Sequence, residues 1–360
     1  MSRTAREPER FVALCEGSFG PTTSKTANAC IRYTPERVVA VVDSRHAGKT
    51  AEKVLGFGGD IPVVATLDEA LGFRPNALLI GIAPQGGGLP DEWRPWLRTA
   101  LANRLAIWNG LHVFIGDDPE FAELARTSGT RIHDLRKPPA KLPVAMGKAR
   151  HVDATVILSV GTDCNIGKMT AQLQIRDAMR RGGERVAFAA TGQTGILVEG
   201  WGTAVDAVVA DFIAGAAEQL VVQAAKDADI VLVEGQGSII HPGYSGVTYG
   251  LIHGSMPHAF LLCGQPSRET ITNNPWVRIP PMREMIRLHE EIIAPLRPAP
   301  VIAIALNTFD LSDAKARSAI DRIAAETGLP TTDPVRYDPA PIADALLAFH
   351  EGRRAAAPSS

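Results

Sequence analysis

The chain lacks an excess of either charge. Its 37 basic and 39 acidic side chains leave a formal net charge of −2, so no broad cationic surface is on offer to a nucleic-acid backbone. Cysteine is scarce too. Cys15, Cys30, Cys164 and Cys263 lie far apart with no C-x-x-C pair, which argues against a zinc site or a disulfide framework. No apolar run approaches the roughly 18 residues that cross a bilayer. Residues 1–10 are charged without an apolar centre, so the expectation is a cytoplasmic protein with no membrane partner. Internal repeats are missing as well. What remains is a chain of 360 residues, 45% hydrophobic and with 33 glycines, which suits two α/β domains with many tight turns.

The chemistry concentrates first between Ala154 and Thr170. An apolar run, Thr155–Val160, leads into Gly161, Thr162, Asp163, Cys164, Asn165, Ile166, Gly167 and Lys168, then into a helical pattern through Met169 and Thr170 to about Arg180. Strand, glycine loop and helix in that order make a phosphate cradle: amides at the helix N-terminus point at oxyanions and one lysine neutralises them. The bland alternative is a strand-to-helix turn with a surface lysine. The loop departs from the common P-loop, with five residues between its glycines and Met169 where a magnesium-ligating hydroxyl normally follows the lysine. It resembles the loop of the dethiobiotin synthetase and MinD-like proteins. A metal is not expected; Thr170 and Glu234 would be the ligands if Mg²⁺ were used. Cys164 is read as an inert member of the loop, outside the catalytic set.

A second strand, Ile230–Val233, ends in Glu234 and the glycines Gly235 and Gly237, which is how a Walker B strand delivers a carboxylate beside phosphates. Such an acid must meet a cation, a water or a mobile proton. Glu234 is therefore a candidate catalytic group, and His241, in the long polar loop expected over 240–258, is the candidate general base. Each of the histidines 241, 253 and 258 has a structural hydrogen-bonding role as its plain alternative. Tyr244, the Thr191–Gly195 turn with Gln193 and Thr194, and Arg268 with Asn273 behind the strand at 259–263 are candidate substrate contacts, Arg268 as a fork for a carboxylate. Asn307, ending the strand at 301–306, stands where a base is often read.

The first half alternates strands and helices, which predicts a Rossmann-like parallel sheet. Strands are expected at 11–15, 38–43, 77–83, 112–115 and 130–132, helical texture at 49–55 and 67–71, and a helix at 95–109. Asp43 is more readily a cap than a ribose ligand, since no G-x-G-x-x-G precedes it. Thr23, Ser24 and Lys25 form a degenerate echo of a phosphate loop, with Lys25 the residue carried forward as a substrate contact. The prolines of 138–143 mark a linker. The expected division is a Rossmann-like domain at 1–137, a linker at 138–151, a P-loop NTPase-like three-layer α/β/α domain at 152–352 and a disordered tail at 353–360.

Lys25-Thr-Ala, Ile31-Arg-Tyr33, the Gly161–Lys168 loop, Val233-Glu-Gly-Gln-Gly-Ser238 and His241-Pro-Gly-Tyr244 together resemble the DgcN-type D-glutamate N-acetyltransferase family. The resemblance spans nearly the whole chain. It implies acetyl transfer from acetyl-CoA to the amine of D-glutamate, in D-amino acid breakdown, with a homo-oligomer as the expected state. Coenzyme A carries a diphosphate that a glycine loop can hold without cleaving it. Two alternatives stay open: an ATP-dependent, Mg²⁺-assisted ligase or kinase of the dethiobiotin synthetase type, and a nucleotide-binding regulatory protein without turnover.

Overall fold

The structure, a computed structural model, describes residues 8–82 and 87–356; residues 83–86, the end of the strand expected at 77–83 and part of the glycine turn after it, lie outside them. The chain divides into two compact units, residues 8–137 with Ile196–Gly200, and residues 138–195 with 201–356 among those described.

In the first unit β1 (Phe11–Leu14), α1 (Lys25–Tyr33), β2 (Val38–Val42), α2 (Ala51–Leu55), β3 (Val63–Val64), α3 (Leu67–Leu71), β4 (Ala77–Ile80), α4 (Arg94–Ala102), β5 (Ala106–Asn109), α5 (Pro119–Ser128) and β6 (Ile132–Asp134) follow one another. The sheet order is β3-β2-β1-β4-β5-β6, with every pairing parallel. That is the doubly wound Rossmann order expected from the alternation. Val-Val-Ala-Val-Val and Ala-Leu-Leu-Ile form strands because both faces of a parallel sheet are covered, so continuous apolar runs replace alternation. The helix expected over 95–109 stops at Ala102. Arg104 takes a left-handed φ of 60° and the chain re-enters the sheet as β5, while the strand expected at 112–115 does not form and Ile115–Asp117 is a 3₁₀ turn. A helical spacing of apolar residues cannot announce where a turn breaks it.

In the second unit β7 (Thr155–Gly161), α6 (Lys168–Arg181), β8 (Val186–Ala189), α7 (Gln193–Glu199), α8 (Ala210–Ala224), β9 (Ile230–Val233), α9 (Ser245–Ser255), β10 (Ala259–Gly264), the hairpin β11 (Thr270–Ile271) and β12 (Asn274–Arg278), α10 (Met282–Ile293), β13 (Val301–Leu306), α11 (Asp313–Thr327), β14 (Thr331–Thr332) and α12 (Ala340–Ala356) complete the chain. The sheet runs β14-β13-β10-β7-β9-β8, again parallel throughout. β7 is buried along its whole length between β10 and β9. The loops at its carboxyl end and at those of its neighbours therefore converge at the centre of one sheet edge, where open α/β sheets hold ligands. Ser312 caps α11 through Lys315 N, and Gly328 at φ 73° ends it, as their types predict.

Three expectations are corrected. Residues 138–151 are not a free linker: the Met146 and Lys148 amides donate to the Glu218 carboxylate, and Pro143 O occupies the space a Cβ at Gly215 would need. The polar stretch after Glu234 is not a long loop, since α9 takes up 245–255. The tail does not begin at 353, because α12 continues to Ala356, with Arg353 bonded to Thr155 Oγ1.

Candidate functional site

Gly161 ends β7 where an added Cβ would lie 2.6 Å from Ile166 Cδ1 and 3.3 Å from Cys263 O, so the chain can leave the strand only at a glycine. Asn165 at φ 54° and Gly167 at φ 92° then turn it back into α6. Asparagine tolerates that left-handed region because its short amide bonds locally. Asn307 lies over the loop, its Nδ2 3.4 Å from a Cβ built on Gly167. Thr162 and Ile166 are buried, Met169 and Thr170 half-buried in the first turn of α6. Strand, glycine turn and helix thus follow one another as the spacing implies, with Asn307 beside the turn.

Lys168 is buried and donates to two carbonyls, Asp163 O and Gly237 O, both at 2.8 Å. Burial pulls its ammonium below the usual lysine range. Lys168 thus ties the loop to the turn after β9.

The Asp163 carboxylate is bonded within the protein. Its Oδ1 accepts from Cys164 N at 2.6 Å, and its Oδ2 accepts from Arg268 Nη1 at 2.7 Å and from Thr272 N and Oγ1 at 2.9 Å. Burial works against the charge, but these donors outweigh it and hold the carboxyl below its ordinary range. Arg268 also donates to Cys164 O at 2.8 Å. The expectation of Arg268 as a substrate clamp is corrected by these bonds: the guanidinium braces the loop, because a buried carboxylate left unpaired would be far more costly. Asn273, at φ 63° in the turn of the β11–β12 hairpin, is exposed next to Thr272.

Glu234 ends β9, 5% exposed, under the Thr191–Gly195 turn. Its Oε2 accepts from Thr191 N at 2.8 Å and Gly192 N at 3.0 Å, and a Cβ on Gly195 would come within 2.4 Å of the same oxygen. Burial raises the carboxyl to about 7 even though both amides favour the charged form. Gln193 and Thr194 open α7 immediately beyond, both half-buried. The turn after Glu234 is forced by close approach: a Cβ on Gly235 would lie 1.7 Å from Ser159 O, and one on Gly237 2.3 Å from Tyr244 O.

His241 is buried, its Nδ1 accepting from Gly243 N at 3.1 Å and its ring packed on Tyr244 with centroids 4.6 Å apart. Tyr244 is largely exposed at the start of α9. A ring nitrogen of His241, Cys164 Sγ and a carboxylate oxygen of Asp163 all lie within 4.8 Å of one another. His241 therefore joins the cradle, while Glu234 is held by the turn after β8. His258 is structural: Nδ1 accepts from Val156 N at 3.0 Å and burial pushes it down to about 3.

Lys25 belongs to the first unit. It begins α1 in the first unit, where Ser24 Oγ closes the preceding turn onto Gly20 N and Ala27 N donates to Gly81 O, so that turn is no cradle. Asp43 accepts from Phe19 N at 2.7 Å and Arg45 N at 2.9 Å, the capping role rather than the ribose one. Sequence reasoning passed over Thr272 and Ser159, and named Thr191 only as part of its turn; their hydrogen bonds join segments remote in the chain. Only Thr191 carried a signal, as the first residue of a glycine-rich turn at a strand's carboxyl end.

Residues 44–138 match the family model described as the Rossmann-like domain of a domain of unknown function, DUF1611_N, and residues 143–343 match the P-loop domain of DUF1611_C. A crystal structure of a DUF1611 family protein from Anabaena variabilis superposes with a TM-score of 0.90 at 42% identity, covering 94% of this chain and 99% of that one. A protein of Tritonibacter scottomollicae named D-glutamate N-acetyltransferase is 37% identical over 79% of this chain and 84% of its own length. One of the same name from a Pseudoalteromonas species is 35% identical over 74% and 80%.

Proposed function

This chain belongs to the DUF1611 family and is an N-acetyltransferase, and from that premise we propose that it moves the acetyl group of acetyl-CoA to the amine of D-glutamate. The observation that carries the reading is Glu234: a buried carboxyl raised to about 7 at the ligand-binding edge of the sheet. Amine acetylation needs a base that takes a proton from an ammonium near neutrality, and this group is divided between its two forms there.

In the proposed complex the diphosphate of the coenzyme lies against the amides of residues 162–168, and Lys168 turns to it from Asp163 O and Gly237 O. Arg268 and Thr272 keep Asp163 in place so that the loop holds its shape. Glu234 takes the ammonium proton, the amine nitrogen is released for attack, and donors of the loop face the oxyanion. Half-buried Met169 after the lysine suits a loop that holds a diphosphate over one that presents Mg²⁺ for phosphoryl transfer. Gln193, Thr194 and exposed Tyr244 are the proposed substrate contacts, and Asn307 the contact for the adenine.

Purified protein given D-glutamate with acetyl-CoA should release free thiol and N-acetylglutamate. Release of ADP or phosphate from ATP with D-glutamate, and no thiol from acetyl-CoA, would replace this reading with that of a ligase. The same assay with L-glutamate tests the stereochemistry.

A further inference from the structure

We propose that Gln236 is a further substrate-binding residue of the reaction: its side-chain oxygen and the unbonded oxygen of Glu234 together hold the ammonium group from which the proton is taken. This deepens the reading of Glu234 as the base and rests on it.

Glu234 and Gln236 stand at the end of β9 with Gly235 between them, and Thr191 fixes both. Thr191 N donates to Glu234 Oε2 at 2.8 Å, and Thr191 Oγ1 donates to Glu234 O at 2.7 Å. Gln236 Nε2 in turn donates to Thr191 O and, at 3.2 Å, to Thr191 Oγ1. Both amide hydrogens of Gln236 are thereby directed at Thr191. The reverse setting of the amide would put its oxygen against a carbonyl oxygen with no hydrogen between them. Glu234 Oε2 is occupied as well: it also takes the Gly192 amide at 3.0 Å, and a Cβ on Gly195 would come within 2.4 Å of it.

What this network leaves over is of one kind. Among the described residues Glu234 Oε1 and Gln236 Oε1 accept no hydrogen bond, and neither is sealed from solvent. The two heads flank one bare piece of backbone, since a Cβ built on Gly192 would lie 3.3 Å from Glu234 Oε1 and 3.3 Å from Gln236 Nε2. Two acceptors fixed beside each other require a ligand group that brings hydrogens. A carboxylate, phosphate or carbonyl would meet only lone pairs there. An ammonium brings three donors and a charge that Glu234 balances.

The roles follow from what each head is able to do. Glu234 Oε1 takes one proton from the ammonium nitrogen, and the electron pair of the broken N–H bond stays on nitrogen for attack on the acetyl carbon. Gln236 has no proton to take up near neutrality, so its oxygen keeps a second N–H bonded before and after that transfer and holds the nitrogen in place. Thr191 touches neither reactant and is the positioning residue of the pair. All three lie on the turns after β8 and β9, outside Gly161–Lys168, so the amides of that loop remain with the diphosphate.

The test is steady-state kinetics of the full-length protein with acetyl-CoA and D-glutamate, with glutarate, the same diacid lacking the ammonium, as inhibitor. Gln236→Met keeps the length of the side chain and removes the acceptor. It should raise the KM for D-glutamate about tenfold or more, leave the KM for acetyl-CoA within about twofold and keep the acid limb of kcat/KM at its wild-type pH. Glutarate should affect wild type and variant equally. Thr191→Val loses the hydroxyl that aims the amide and should raise the KM for D-glutamate about threefold, while Thr191→Ser restores it; this pair decides the matter should Gln236→Met fail to fold. An unchanged KM for D-glutamate in Gln236→Met or, in its place, in Thr191→Val, or a parallel weakening of D-glutamate and glutarate, would overturn the ammonium contact and leave the acetyl-CoA reading standing. A wild type that forms no N-acetylglutamate would overturn both.

Discussion

Glu234 shows how a single carboxyl acquires a function from its position. Buried beneath two amide donors and raised to about 7, it should give kcat/KM an acid limb that rises with pH through that value. Glu234→Gln is expected to abolish the limb and most of the turnover while coenzyme binding persists, as a pH profile beside a binding titration would show. The same shift has a stability consequence of definite sign. Between the ordinary carboxyl value near 4.5 and about 7 the unfolded chain has released this proton and the folded one has not, so stability falls as pH rises through that window. Melting midpoints should drop across it more steeply in the wild type than in Glu234→Gln. Glycine 235 makes a separate point. Its Cβ would sit 1.7 Å from Ser159 O, so Gly235→Ala should cost about 3 kcal/mol or more in denaturant unfolding. Glu234 was legible in the sequence as an acid at a strand end. That Thr191 and Gly192 would cover it was not, because they lie 42 to 43 residues away in the chain.

At the scale of elements, the β7–α6 loop and the β11–β12 hairpin form one braced piece through Asp163, Arg268 and Thr272. Arg268→Ala leaves a buried carboxylate short of its cation, which should destabilise the protein by about 2 kcal/mol or more. It should also raise the KM for the coenzyme about tenfold while kcat changes less, since it deforms the cradle and not the acid–base group. Thermal melts and initial rates on one preparation decide it. A role in binding the substrate carboxylate would instead raise the KM for the amino acid alone. The loop was recognisable from its spacing because glycines and lysine answer to local backbone requirements. Arg268 was misread from sequence for the opposite reason: a guanidinium fork fits a substrate carboxylate and a buried aspartate equally well, and only packing chooses. α9 was likewise taken for loop, as its glycines and polar residues give a weak helical pattern and its stability comes from contact with α8, where Gly250 and Gly254 meet Ile213 and Ala214.

At the scale of the molecule, each unit has a parallel six-stranded sheet and its own buried apolar cluster, yet the division is not a single cut. Ile196–Gly200, in the middle of the P-loop half of the sequence, is counted with the first unit, where Leu197 is fully buried and Leu197 O accepts from Arg37 Nη1 at 3.0 Å. A fragment beginning at Pro138 is therefore expected to expose Leu197 and to unfold at a lower temperature than the same residues in the full chain, with added 1–137 restoring the loss in a calorimetric melt. An unchanged melting temperature would show that the segment has no such dependence.

By itself the sequence determined whatever a residue decides with its near neighbours: continuous apolar strands that call for a covered parallel sheet, glycines at the one conformation that lets a chain turn into a helix over phosphates, and a lysine at that turn. Tertiary structure alone decided which charges are spent inside the protein and which are left for chemistry. Arg268 went to Asp163, and Glu234 was kept near neutrality. Desolvation and pairing depend on what distant segments bring to a side chain, and no local pattern encodes that.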